Sequence, residues 1–91
     1  MSVLIRFAPP SMSADQYDQV TRRLQEAGDW PPDGMDYHIC FGSEGNLEVS
    51  EIWDSREQLE AFGDRLRPVL TEVGIDPGDP ELHEIHKIIK R

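Results

Sequence analysis

The stretch LEVSEIWDSREQLEAF, residues 47–62, decides the fold. Its first half alternates apolar and polar side chains, the period of a strand, and its second half places Leu59 and Phe62 three apart, as a helical stripe requires. Between them "DSREQ" (54–58) carries a helix start, with Ser55 as the N-cap and Gln58 as the returning half of a capping box. Within the strand, Leu47, Val49, Glu51 and Trp53 share one face by the period of two. A carboxylate therefore stands beside an indole on an otherwise apolar surface.

The rest of the chain arranges itself around this junction. "VLIRF" (3–7) reads as a first strand, stopped by Pro9–Pro10. "SADQ" (13–16) is a second capping box, and Tyr17, Val20, Leu24 and Ala27 then mark one face of a helix that ends at Gly28. "GDWPPDG" (28–34) is a loop by its proline and glycine content. "MDYHICFG" (35–42) and "NLEVSEIW" (46–53), joined by "SEG", form a hairpin. Leu59, Phe62, Leu66, Val69, Leu70 and Val73 predict a second helix over 55–73, with a kink at Pro68 and a stop at Gly74. "DPGDP" (76–80) is a turn, and "LHEIHKII" (82–89) predicts the last strand.

The order βαββαβ is the ferredoxin-like α+β arrangement, a single domain over residues 1–91. Right-handed crossovers place both helices on one face of a four-stranded antiparallel sheet of strand order 4-1-3-2. The other face then has no helix to cover it. We expect Leu47, Val49 and Trp53 there, and a two-fold partner stacked on them in a homodimer.

Charge and composition narrow the partners. Eighteen acidic residues stand against nine basic ones, a net charge of −9, and the basic residues are scattered. This argues against nucleic acid or an anionic membrane as the partner, because both require clustered Lys and Arg. The one cysteine, Cys40, precludes an intrachain disulfide. No apolar run reaches the length of a membrane span, and a cytoplasmic location is expected.

The junction SEIWDSREQLEAF (50–62) resembles the E-x-W-x-S-x-E-x-hydrophobic strand-to-helix motif of dimeric α+β barrel proteins, carried here by Glu51, Trp53, Ser55, Glu57 and Leu59. These small proteins are similar to the antibiotic biosynthesis monooxygenases, and the likeness in element order covers nearly the whole chain. The second helix with its proline, "GIDPGDP" and "IHKII" look like small bacterial members without an assigned activity. The resemblance implies two sheets facing each other across a dimer barrel, with a pocket between each sheet and its helices or inside the barrel. It also implies one of three activities: cofactor-free oxygenation of polyketide quinones, haem degradation, or none. In haem-degrading members the junction tryptophan lines the pocket, which would carry over to Trp53. Those members also use an asparagine on the first strand and a histidine on the second helix. Here the first strand offers Arg6, and residues 55–73 contain no histidine, which argues against haem degradation.

Several residues have two readings each. Trp53 is either a pocket wall or an apolar anchor of the dimer core. Glu51, Arg6 and His86, if all point away from the helices, form a row across adjacent strands. They would then bind an acidic or phenolic ligand and hold a proton-transfer group, or else neutralise one another as an interfacial ion pair. We expect Glu51 to pair with Arg6. His38 and Cys40 share a face of the second strand and form half of a metal site or a histidine packed beside a thiol. The chain offers no second close pair to complete a metal site, so none is expected. Tyr17 and Tyr37 are expected at a pocket rim, Tyr37 among the ligand contacts, and Trp30 is a lid or a loop anchor.

The expectation is a cofactor-free monooxygenase- or isomerase-type enzyme acting on an aromatic or polyketide-like small molecule. Its acid–base residues would be His86 and His38, its ligand contacts Trp53, Glu51, Arg6 and Tyr37. The alternative is a non-catalytic dimer that binds a small molecule or serves a structural or regulatory role.

Overall fold

The computed structural model describes residues 2–91. The elements are β1 (Val3–Phe7), α1 (Ala14–Glu26), β2 (Met35–Ser43), β3 (Asn46–Trp53), α2 (Arg56–Val73) and β4 (Glu81–Glu84). All pairings are antiparallel, in the order β2-β3-β1-β4. This is the ferredoxin-like topology that the pattern of residues 47–62 demands.

The helix starts follow from their caps. The Gln16 amide donates to Ser13 Oγ at 3.1 Å, and the Ser13 amide donates to Gln16 Oε1 at 3.0 Å, so α1 opens on a complete capping box. At α2 the Gln58 amide donates to Ser55 Oγ at 3.2 Å. The returning half differs there: Gln58 Oε1 accepts from the Ser55 hydroxyl at 3.0 Å rather than from its amide. α2 runs through Pro68 and ends at Gly74, whose φ of 86° is the left-handed conformation that closes a helix at little cost in glycine.

The core corrects the expected facing. Val20 and Leu24 of α1 and Leu59 and Phe62 of α2 join Val3, Ile5, Val49 and Trp53 in one buried cluster. Leu47 packs against the same cluster, and Glu51 is buried within it. The set Leu47, Val49, Glu51 and Trp53 therefore faces the helices, not the open side. Periodicity fixes which residues share a face but not which face that is. Val3, Ile5 and Phe7 pair directly with Trp53, Glu51 and Val49, which makes this the more apolar side of the sheet. Each such side chain contributes about 1.5–3 kcal/mol when buried, and the two amphipathic helices settle on that side. The helix-free face carries instead Leu4 and Arg6 of β1, Tyr37, Ile39 and Phe41 of β2, and Glu48, Ser50 and Ile52 of β3.

β4 is half the predicted length. It pairs with β1 from Arg6↔Glu81 to Val3↔Glu84, and there its partner strand begins. Past that point one further bond forms, from the Ile85 amide to the Ser2 carbonyl at 3.1 Å. Residues 86–91 leave the ladder, and His86 is exposed.

Candidate functional site

β2 and β3 bring His38 opposite Glu51, and both side chains point toward the helices. His38 Nδ1 lies 2.6 Å from Glu51 Oε2. The other carboxylate oxygen, Oε1, accepts from Trp53 Nε1 at 3.0 Å. On the far side of the imidazole, Nε2 lies 2.7 Å from the hydroxyl of Tyr17 on α1. The result is an unbroken chain from Trp53 through Glu51 and His38 to Tyr17. With Glu51 as a carboxylate and a neutral imidazole, one proton arrangement satisfies every member: Nδ1–H donates to Glu51, and Nε2 accepts from the Tyr17 hydroxyl. Among the described residues no buried side-chain nitrogen or oxygen lacks a partner.

This chain borders an apolar cavity between the sheet and the helices. Tyr17, His38 and Glu51 line it together with Phe7, Met12, Val49, Phe62 and Trp30. The interior measures about 60 Å³, widening to about 550 Å³ when its open mouth is included. That interior exceeds the roughly 10–15 Å³ a water needs and is smaller than the ~150 Å³ that holds a benzene. A ring-sized molecule therefore reaches out into the open mouth or displaces a wall. Among the described residues no Arg or Lys lines the cavity, so its polar groups, among them the hydroxyls of Tyr17 and Thr21, stand without a fixed cation.

Trp30 forms one wall. Its indole meets the His38 ring edge-on at a centroid distance of 4.9 Å and lies 6.3 Å from Phe62. The Tyr17 ring centroid lies 5.8 Å from that of His38, with the two planes inclined by 27°. Burial, reinforced by the charges of Cys40, Glu51 and Asp18, pushes the Tyr17 phenol up to about 12. Tyr17 therefore stays protonated at neutral pH and acts as a donor. Burial also raises the Cys40 thiol, with Asp18 adding to it, so this cysteine is not poised as a nucleophile.

The structure divides the residues expected from sequence. His38, Glu51 and Trp53 come together, but Trp53 is fully buried behind Glu51 and is not among the residues lining the cavity. Arg6 does not meet Glu51. It lies on the opposite face and binds Glu48 at 2.9 Å, because Ile5, not Arg6, is the residue of β1 that stands across from Glu51. Tyr37 is also on the opposite face, its ring 4.8 Å from Lys90 Nζ. His86 lies beyond β4, exposed and away from the row it was expected to join. Tyr17 sits half-buried inside the network rather than at a rim. Its place was readable: it begins the stripe Tyr17, Val20, Leu24 that faces the sheet, where His38 is a polar group within reach. Among the described residues, no three His, Cys, Asp or Glu side chains are grouped to hold a metal ion.

No protein-family model matches the sequence, and neither does any curated protein. Solved structures do match in fold. A candidate antibiotic biosynthesis monooxygenase from Deinococcus radiodurans superposes with a TM-score of 0.62 at 16 % identity, over 100 % of this chain and 98 % of that one. SnoaB, a cofactor-independent oxygenase from Streptomyces nogalater, gives 0.63 at 11 % identity over 99 % and 96 %. Rv0793 from Mycobacterium tuberculosis gives 0.61 at 15 % identity over 98 % and 97 %. The chain thus has the ferredoxin-like α+β fold of antibiotic biosynthesis monooxygenase-like proteins, along its whole length and at low sequence identity.

Proposed function

We propose that this protein is a small acid–base enzyme of the cofactor-free oxygenase or isomerase type, acting on an uncharged aromatic or polyketide-like molecule. The observation that carries this reading is the Tyr17–His38–Glu51 chain at the wall of an apolar cavity. Both reaction types begin by removing a proton from carbon or oxygen next to an aromatic system. Tyr17 passes its proton to His38 Nε2 while taking one from the substrate. Glu51 stabilises the imidazolium that forms. In an oxygenase the resulting carbanion reacts with dioxygen, so that a methylene becomes a carbonyl and the second oxygen atom leaves as water. In an isomerase the proton returns at another position. The absence of a lining cation favours a substrate that arrives neutral, since an anion would meet the Glu51 charge without compensation.

The open sheet face supports a homodimer. Ile39 is 56 % exposed there, with Leu4, Phe41 and Ile52 on the same face, and a second copy would bury them. Among the described residues no helix is long and apolar enough to cross a membrane. A cytoplasmic location is part of this proposal.

The test is proton exchange. A panel of ring-fused ketones with an acidic methylene, followed by NMR in deuterium oxide, should exchange faster with the protein present. His38→Phe should slow the catalysed exchange about 10²-fold or more. A second reading, a non-catalytic binder, draws on the narrow interior and on a hydrogen-bond chain that is complete without a ligand. It predicts ligand binding with no faster exchange.

A further inference from the structure

We infer that Trp53 is a positioning residue: its indole N–H fixes Glu51 so that His38 keeps Nδ1 protonated and Nε2 free to take a proton. This assignment rests on the acid–base reading of the site and goes beyond it, because Trp53 is not among the residues that line the cavity and acts through Glu51.

Glu51 has two oxygens, and each has one donor: Trp53 Nε1 at 3.0 Å on Oε1, and His38 Nδ1 at 2.6 Å on Oε2. The carboxylate is 4 % exposed, so water cannot stand in for either donor. An indole N–H only donates. Bound to Oε1, it requires that oxygen to be an acceptor and leaves Oε2 to the histidine. With Glu51 ionised, Oε2 can only accept, so a neutral His38 presents Nδ1–H to it, and Nε2 is left with its lone pair toward the Tyr17 hydroxyl at 2.7 Å.

The indole can set this geometry because it cannot move. Trp53 is 0 % exposed, its ring centroid lies 5.6 Å from that of Phe62, and its backbone pairs with Val3 on one side and Met35 on the other. The spacing is part of the device. Residues two apart on a strand point the same way, roughly 6.5–7 Å apart along it, which is within reach of an indole turned back toward the neighbouring carboxylate. Glu51 and Trp53 in "EIW" thus act as one unit. A phenylalanine would fill much of the same volume and leave Oε1 buried without a donor, free to turn or to take up a proton.

The experiment reads the His38 tautomer by long-range ¹⁵N–¹H NMR, under conditions where the ring is neutral. In the wild-type protein the Nδ1 signal should have the shift of a protonated nitrogen and the Nε2 signal that of an unprotonated one. In Trp53→Phe the two signals should move toward each other, as the single tautomer gives way to a mixture. A second variant guards against a folding defect. In a Trp30→Phe background, the remaining tryptophan is replaced biosynthetically by benzothienylalanine, which keeps both fused rings and exchanges N–H for sulfur. The same convergence is expected there. An unchanged single tautomer in either folded variant overturns the role of Trp53 and leaves the acid–base reading intact. A wild-type histidine protonated on Nε2 overturns both.

Discussion

His38 and Glu51 face each other across β2 and β3, 2.6 Å apart at Nδ1 and Oε2, and each accepts a hydrogen bond from an aromatic side chain behind it, His38 from Tyr17 and Glu51 from Trp53. The pair sits where a small sheet protein would ordinarily place two hydrophobic residues. A well-packed apolar pair of similar volume is often as stable or more so, so stability alone does not account for a polar pair at this place.

The pair should be strongly coupled. His38→Phe leaves a buried carboxylate oxygen without its donor and should destabilise the protein by about 2–4 kcal/mol. Glu51→Gln should cost about 1–3 kcal/mol. The double variant should cost less than the sum by about 0.5–3 kcal/mol, the coupling expected of residues in contact. The effect of Arg6→Met should simply add to that of Glu51→Gln, since Arg6 pairs with Glu48 on the opposite face of the sheet and shares no partner with Glu51. Denaturant unfolding of the wild type and five variants, the two double variants included, checks all of this. A deficit from additivity between Arg6 and Glu51 would contradict the strand register.

Tyr17 predicts an alkaline signature. Its folded pKa, about 12, lies above the ordinary value of 10.0. Between these two values the unfolded chain has lost the phenolic proton while the folded one still holds it. The folded state then binds more protons, and stability falls as pH rises. The contribution is fully present below pH 10.0 and is lost as pH rises through about 12. Tyrosinate absorbance should show one tyrosine titrating near pH 12, and Tyr17→Phe should abolish that step together with its share of the alkaline loss of stability.

How much of this the sequence discloses can be traced residue by residue. Element order and sheet order follow from local signals that compete with nothing: two Ser–x–x–Gln caps, a Gly-containing hairpin and glycine helix stops. Facing does not follow, because Val49–Glu51–Trp53 and Glu48–Ser50–Ile52 are both alternating sets on one strand. The choice between them lies in how the helices pack on the whole sheet. Once Glu51 is put on the wrong side, Arg6 becomes its apparent partner and His86 its apparent neighbour. With the facing corrected, His38 on the adjacent strand and Tyr17 on the stripe of α1 are the polar groups left on that side. The length of β4 was hidden for a related reason: "LHEIHKII" has the composition of an eight-residue strand, but β1 supplies a ladder only as far as Val3.

The corrected facing changes what two substitutions should do. Val49 is 7 % exposed under the helices, so Val49→Asp buries an unpaired carboxylate in the core and should unfold the subunit rather than merely separate two of them. Ile39→Asp lies on the open face, should leave the fold intact, and should convert a dimer to a monomer at micromolar concentration. Circular dichroism and light scattering on the two variants distinguish these outcomes. A folded Val49→Asp monomer would restore the original facing.

Trp30 should control the size of ligand the cavity admits. Its indole is half-buried and forms a wall against His38 at 4.9 Å and Phe62 at 6.3 Å. Trp30→Ala removes that wall without touching the bonds among Tyr17, His38 and Glu51. Because the ring is not fully buried, the stability cost should be below the ~3–5 kcal/mol of a core Trp→Ala change, and the melting transition should remain cooperative. The cavity interior, about 60 Å³ in the wild type, would gain the volume of the indole and open directly over His38. Isothermal titration with phenol and with 1-naphthol should show the preference moving toward the two-ring ligand in the variant. 1-Naphthoate should bind poorly to both proteins, because the wall that is lost carries no cation and none is gained. If the preference between one and two rings stays as it is in the wild type, the ligand does not enter past Trp30. The mouth of the site would then have to be sought at its other lining residues, Pro9 and Pro77.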